Sequence, residues 1–124
     1  MGLFDMFMSE EKLISKKQRT LTSLDSMPED REATAFWLSD NGTPKSLMAL
    51  LSRFDMSLTH QLNDREEKEK VFALLVSHGE AVERPLRAWL KQCKQFAMPL
   101  RMFQELMGRE EAVQLVFELS LIHI

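Results

Sequence analysis

The sequence predicts an all-α domain: a short right-handed α-α superhelix of stacked helical hairpins, closed at one end by an N-terminal capping helix. Three observations carry that expectation. Glycine and proline occur only 4 times each in 124 residues, whereas Leu, Met, Glu, Lys and Ala are abundant, so long helices with few turns are favoured and a β-sandwich is disfavoured. Apolar segments with helical periodicity stop at Asn41-Gly42, His78-Gly79 and Gly108, and each stop is followed closely by a new helical start. Glycine ends helices because it adopts the left-handed conformation at no steric cost. Third, the apolar offsets after these glycines recur. Leu47, Leu50 and Leu51 stand 5, 8 and 9 residues after Gly42, and Val113, Val116 and Phe117 stand at the same offsets after Gly108.

The elements follow in order. Met1 to Met8 is apolar except for Asp5, and Ser9 followed by Glu10 and Glu11 is a helix start, with a hydroxyl cap and acids at the positive end of the dipole. Leu13, Ile14, Leu21 and Leu24 then share an arc of about 100°, so residues 1–27 form a capping segment and an amphipathic helix. Pro28, Glu29 and Asp30 open a helix that runs to about Asp40. Thr43-Pro44 restarts the chain two residues later, and so short a link forces helices 29–40 and 44–54 into an antiparallel hairpin. After a polar stretch to Asn63, Asp64 opens a charged first turn that leads into Val71 to Val76. A second helix is expected from Ala81 to Lys94, with Leu86, Trp89 and Leu90 keeping the same 3,1 apolar spacing. The third unit runs from Met98 to Met107, stops at Gly108 and restarts at Glu110-Glu111. A repeat of about 30 to 39 residues results, with helical repeats over residues 28–119. Ser120-Leu121-Ile122-His123-Ile124 resembles the translated sequencing-adapter read-through that ends metagenomic reading frames, so 120–124 is read as a non-native tail and the native chain is expected to continue past Leu119.

Composition excludes several function classes. A net charge of −3 and a pI near 5.6 lack the positive field of a dedicated nucleic-acid binder. A single cysteine, Cys93, rules out an internal disulfide and cysteine-based zinc sites, and fits a reducing, cytoplasmic setting. No apolar run reaches the roughly 18 residues of a membrane span, and no secretory leader is visible. The apolar octapeptide Met1–Met8 is too short for stable membrane insertion.

The hairpins Ala35-Phe36-Trp37-Leu38…Asn41-Gly42-Thr43-Pro44 and Phe72-Ala73-Leu74-Leu75…His78-Gly79, then Val82, Pro85-Leu86 and Trp89-Leu90, resemble the HEAT-like repeat family of α-solenoids. The resemblance covers roughly residues 28–119. It implies stacked hairpins whose second helices line a concave face where partners bind.

Catalytic chemistry finds no foothold in the residue pattern. His60 and His78 stand alone, His123 lies in the tail, and a metal site needs three or four converging ligands. His78 reads as a C-terminal residue satisfying helix carbonyls. Cys93 shares the apolar face of Leu86, Trp89 and Leu90 and reads as a core residue. The pairs Glu29-Asp30, Glu66-Glu67 and Glu110-Glu111 each open a helix, where the dipole favours acids by about 0.3–1 kcal/mol. No phosphate-binding glycine loop or nucleophile elbow occurs, and no cofactor is expected. The 9 methionines suit gap-filling between helices.

The most informative polar pattern is Arg84, Arg87, Lys91 and Lys94, spaced 3, 4 and 3. On one helix these four cover about 80° of arc beside the apolar face. The resemblance places this ridge on the concave surface. The expected function is therefore a non-enzymatic protein–protein interaction scaffold that holds an acidic protein segment on Arg84, Arg87, Lys91 and Lys94. The alternative is a nucleic-acid-associated module contacting phosphate through the same local ridge. It is the weaker reading because the stripe does not continue: the third unit presents Glu110, Glu111, Gln114 and Glu118 instead. A third class, a membrane-peripheral protein held by residues 1–24, is weaker still.

Overall fold

The computed structural model describes residues 9–122, and among them the chain is helical with no strand. Helix α1 spans Glu10–Leu21, α2 Pro28–Asn41 and α3 Pro44–Leu51, which tightens into a 3-10 turn at Ser52–Asp55. Helix α4 spans Gln61–Val76, a second 3-10 turn covers Gly79–Val82, and α5 (Glu83–Leu90), α6 (Ala97–Met107) and α7 (Arg109–Ile122) complete the domain. The capping role expected of Met1–Met8 lies outside the described residues.

Local chemistry sets these boundaries. The Ser9 hydroxyl accepts the Lys12 amide at 3.3 Å, and Glu10 and Glu11 occupy the first turn of α1. The Thr22 amide and hydroxyl both return to the Gln18 carbonyl, so α1 ends before Leu24. That residue, expected on the buried stripe, stands 62% exposed in the following turn. Gly42, at φ 66°, closes α2 by donating its amide to the Leu38 carbonyl. The Thr43 hydroxyl then caps α3 through the Ser46 amide, and α2 and α3 pack together as the expected hairpin.

Other boundaries also differ from expectation, among them the start of α5 at Glu83 where Ala81 was expected, because Gly79–Val82 forms a 3-10 turn. Helix α4 starts at Gln61, not Asp64, because His60 Nδ1 accepts the Asn63 amide and serves as the cap. Helix α5 stops at Leu90, not Lys94. The Asp55 carboxylate, 39 residues upstream of Lys94, accepts the backbone amides of Lys94 and Gln95 at 3.0–3.1 Å. These donors are thereby taken from any continued helix, and Cys93–Phe96 leave the helix toward α6.

Helix α3 is the centre of the domain, contacted by α1, α2 and α5, while α4 lies between α2 and α6, and α6 packs on α7. Leu38, Leu47, Leu50, Leu51, Leu75, Leu86, Leu90 and Phe103 are at most 1% exposed and belong to one continuous core. Full burial of such a side chain contributes about 1.5–3 kcal/mol. Three contacts of α2 with α4 and the turn after it have similar sequence offsets. Arg31 meets Glu67 (36 residues), Glu32 meets Lys70 (38) and Ser39 meets His78 (39). Arg101 of α6 meets Glu69 of α4 at 32 residues.

A charged network is buried between α2, the first 3-10 turn and α4. Arg53 is fully buried, with Nη2 on Asp64 Oδ1 at 2.9 Å and Glu67 Oε1 at 3.3 Å and Nη1 on the Met56 carbonyl at 2.7 Å. Arg31 grips both Glu67 oxygens at 2.9 Å and also donates to the carbonyls of Ser26 and Ser23. Lys68 closes the chain on Asp64 Oδ2 at 2.8 Å. Burial pushes the Asp64 carboxyl up, but hydrogen bonds from Lys68, the Leu58 amide and Arg53 outweigh it and hold the group below its ordinary value.

Candidate partner-binding face

The four cations of the expected ridge arise on α5 and its exit, and the structure divides them. Arg84 and Lys91 lie two turns apart, both exposed, and neither forms an ion pair among the described residues. Lys91 is the residue that caps α5. Lys94 is exposed as well, but it stands in the extended exit with its backbone amide on Asp55. It is therefore not on the helical arc that the 3, 4, 3 spacing implied, because the helix ends one turn earlier.

Arg87 is turned inward. Its Nε donates to Glu83 Oε1 at 3.2 Å, its Nη2 lies 3.6 Å from Glu111 Oε2 on α7, and its guanidinium sits 4.9 Å from the centroid of the buried Phe103 ring. A guanidinium so engaged braces α5 against α6 and α7 and is poorly placed to receive a partner's carboxylate. Arg84, Lys91 and Lys94 thus remain as open donors.

The apolar side of this segment anchors the face. Leu86 and Leu90 are fully buried. Trp89 is also buried, and its Nε1 has no acceptor among the described residues. Cys93 is buried with its thiol directed to the Leu90 carbonyl. Burial and the nearby Asp55 charge push that thiol up to about 11, so almost none is thiolate near neutrality.

Several groups take roles that spacing alone did not give. His78 serves its own helix through its backbone amide, which donates to the Leu75 carbonyl at 3.0 Å, but its ring does not: Nε2 lies 3.0 Å from the Ser39 hydroxyl on α2, tying the two glycine-marked turns together. Glu67 and Asp64 face buried guanidiniums and do more than favour a helix dipole, whereas Glu66 lines an open cleft. That cleft, about 760 Å³ between α2 and α4, has an apolar floor of Leu21, Ala35, Val71 and Leu74 beside the half-exposed Phe36. The Glu32–Lys70 pair joins its two walls at 3.2 Å. The 36-residue separation of Arg31 and Glu67 falls within the 30 to 39 residues expected for a repeat, and that spacing is the one sequence signal that could have pointed to their pairing.

No group of three or more His, Cys, Asp or Glu side chains that could hold a metal ion occurs among the described residues. No helix among them is long and apolar enough to cross a membrane. Comparison with known proteins gives no match to a protein-family model, to a curated protein or to a solved structure.

Proposed function

We propose that this domain is a non-enzymatic interaction module of the HEAT-like kind, acting in the cytoplasm, which holds an acidic segment of a partner protein on Arg84, Lys91 and Lys94. One observation carries the reading. Arg31 on α2 and Arg53 in the first 3-10 turn are occupied by Glu67, and Arg101 on α6 by Glu69. The three cations around α5 are exposed and hold no internal carboxylate among the described residues. Charged donors left open on a rigid helix are what a carboxylate-bearing partner requires. Arg87 belongs to the module as a brace that fixes the face.

The repeat architecture is supported by the offsets of 36, 38 and 39 residues between α2 and α4 with the turn after it, and by the contacts of α2 on α4, α4 on α6 and α3 on α5. Stacking of like helix on like helix is the contact pattern of a solenoid.

The test is a titration of the full chain against a labelled polyglutamate peptide and, separately, a labelled DNA duplex, each followed by fluorescence anisotropy. The double variant Arg84→Glu, Lys91→Glu should weaken peptide binding at least about tenfold, since each open charge-assisted contact is worth roughly 1.5–3 kcal/mol. Its thermal midpoint should stay within a few degrees of the parent. Unchanged peptide binding in the variant refutes the assignment. Tighter binding of the duplex, falling linearly with the logarithm of salt concentration, transfers the face to phosphate.

A further inference from the structure

In a stack of hairpins the inner elements bury apolar residues on both neighbours, and the end elements need polar outer faces. At the N-terminal end α1 meets that requirement, with Glu11, Lys12, Ser15, Lys16 and Arg19 on its exposed side. At the other end α7 does not. Its Ala112, Leu115 and Leu119 are buried against the domain, while Val113, Val116 and Phe117 are 62%, 48% and 65% exposed. These three stand 5, 8 and 9 residues after Gly108, as Leu47, Leu50 and Leu51 do after Gly42. The α3 triplet is at most 1% exposed, and α5 is among the helices that cover α3. Val113 and Val116 also line an open groove of about 450 Å³ between α7 and α6, with Ala97 and Leu100 on the facing side.

We infer that the outer face of α7 is a docking surface for an amphipathic helix of a partner protein, with three apolar residues at i, i+3 and i+4 and a basic flank. The interface within the chain supplies the pattern. Helix α5, which packs on α3, carries Leu86, Trp89 and Leu90 at that spacing and Arg87 beside them. Charge fixes the partner's orientation. Glu110 follows Phe117 around the helix, and Glu118 lies beside Glu111, which already takes Arg87 of α5 at 3.6 Å. The groove's α6 edge holds Arg101, engaged by both Glu69 oxygens, and Arg109 of α7 itself stands exposed at the groove, four residues before Val113. On the side of the apolar triplet away from α6 the exposed charges are Glu110 and Glu118, which select lysine or arginine on that flank of the partner helix, while Arg109 lies toward the groove. This surface is separate from the α5 cations and does not depend on the function proposed for them.

The experiment titrates the full chain into two labelled model helices about five turns long, with leucine at the same positions and either lysine or glutamate elsewhere. Saturable one-to-one binding of the leucine–lysine helix is expected, with the leucine–glutamate helix at least about tenfold weaker. The variant Val116→Ser, Phe117→Ser should weaken the lysine helix at least about tenfold, whereas Arg84→Glu, Lys91→Glu should leave it at least as tight. Because the substituted side chains are exposed, far-ultraviolet circular dichroism and the thermal midpoint should match the parent. Equal binding of both helices, or unchanged binding in the serine variant, overturns the inference. So does a dimer of the parent chain in sedimentation that dissolves in the serine variant, since that makes a second copy the occupant.

Discussion

Arg53 is the side chain whose loss should cost this fold the most for its size. It is fully buried and donates to Asp64, Glu67 and the Met56 carbonyl. In Arg53→Met the volume is roughly kept, but Asp64 and Glu67 remain as carboxylates with one cation fewer, and the Met56 carbonyl loses its donor. Removing one partner of a buried pair typically costs about 3–5 kcal/mol, and the surviving contacts of Glu67 with Arg31 and of Asp64 with Lys68 place the value at the lower end. About 3 kcal/mol lowers the thermal midpoint of a domain this size by on the order of 10 °C. Urea unfolding at pH 7, followed by circular dichroism, measures the loss. The double variant Arg53→Met, Glu67→Gln should lose less than the sum of the singles, because the orphaned charge is itself removed. The acid limb adds an independent check. Asp64 titrates below its ordinary 3.8 in the folded state, so the unfolded chain binds that proton more readily. The stability it contributes is complete above the ordinary value and is lost as pH falls through the lower, folded one. Arg53 is one of the groups holding that value down, so the variant should lose less stability than the parent as pH falls below 3.8. A loss under about 1 kcal/mol at pH 7, together with an unchanged acid limb, would show that the network is not the structural clamp its geometry describes.

Other outcomes follow from single contacts. With its thiol buried and pushed up to about 11, Cys93 should react with a thiol reagent at pH 8 at well under a tenth of the rate of the urea-unfolded chain; comparable rates would contradict its burial. Gly42→Ala should cost about 1–2 kcal/mol from backbone strain at φ 66°, since the added Cβ would meet His78 Cε1 only at an ordinary 3.5 Å. Urea midpoints of the parent and variant give that number. Glu69→Gln breaks a paired but half-exposed contact with Arg101 and should cost no more than about 1 kcal/mol, less at high salt. The same substitution should make the acid limb slightly shallower, because the Arg101 hydrogen bond holds the Glu69 carboxyl below its ordinary value and the stability this gives above that value is absent in the variant. Leu50→Ala empties a fully buried site in α3 and should cost about 2–5 kcal/mol in the same unfolding assay.

Helices, turns and most of the core were legible because they rest on local chemistry. A left-handed glycine after Leu38-Ser39-Asp40-Asn41 and a threonine cap before Pro44 act within a few residues, and the sequence displays them directly. The end of α5 was not legible, since it depends on Asp55 reaching amides 39 and 40 residues away. For the same reason the basic spacing of Arg84, Arg87, Lys91 and Lys94 overstated the ridge. Periodicity assigns a side chain to an arc, but whether that side chain is open depends on which carboxylates the fold brings alongside. Glu83 stands one turn before Arg87 and was visible as an i, i+4 partner; Glu111 and the Phe103 ring were not.

The glycine-anchored offsets carry the complementary lesson. They identify Leu47, Leu50, Leu51 and Val113, Val116, Phe117 as equivalent positions, yet the first set is buried and the second exposed. Equivalence of pattern therefore states what a face is built to do, and burial states whether the described chain does it. At α3 both agree, because α1, α2 and α5 pack around it. At α7 they part, and the arc that faces solvent carries valine and phenylalanine where the exposed side of α1 carries glutamate, lysine, serine and arginine. An apolar triplet kept on one outer helix and excluded from the other is the mark of a surface meant to be covered.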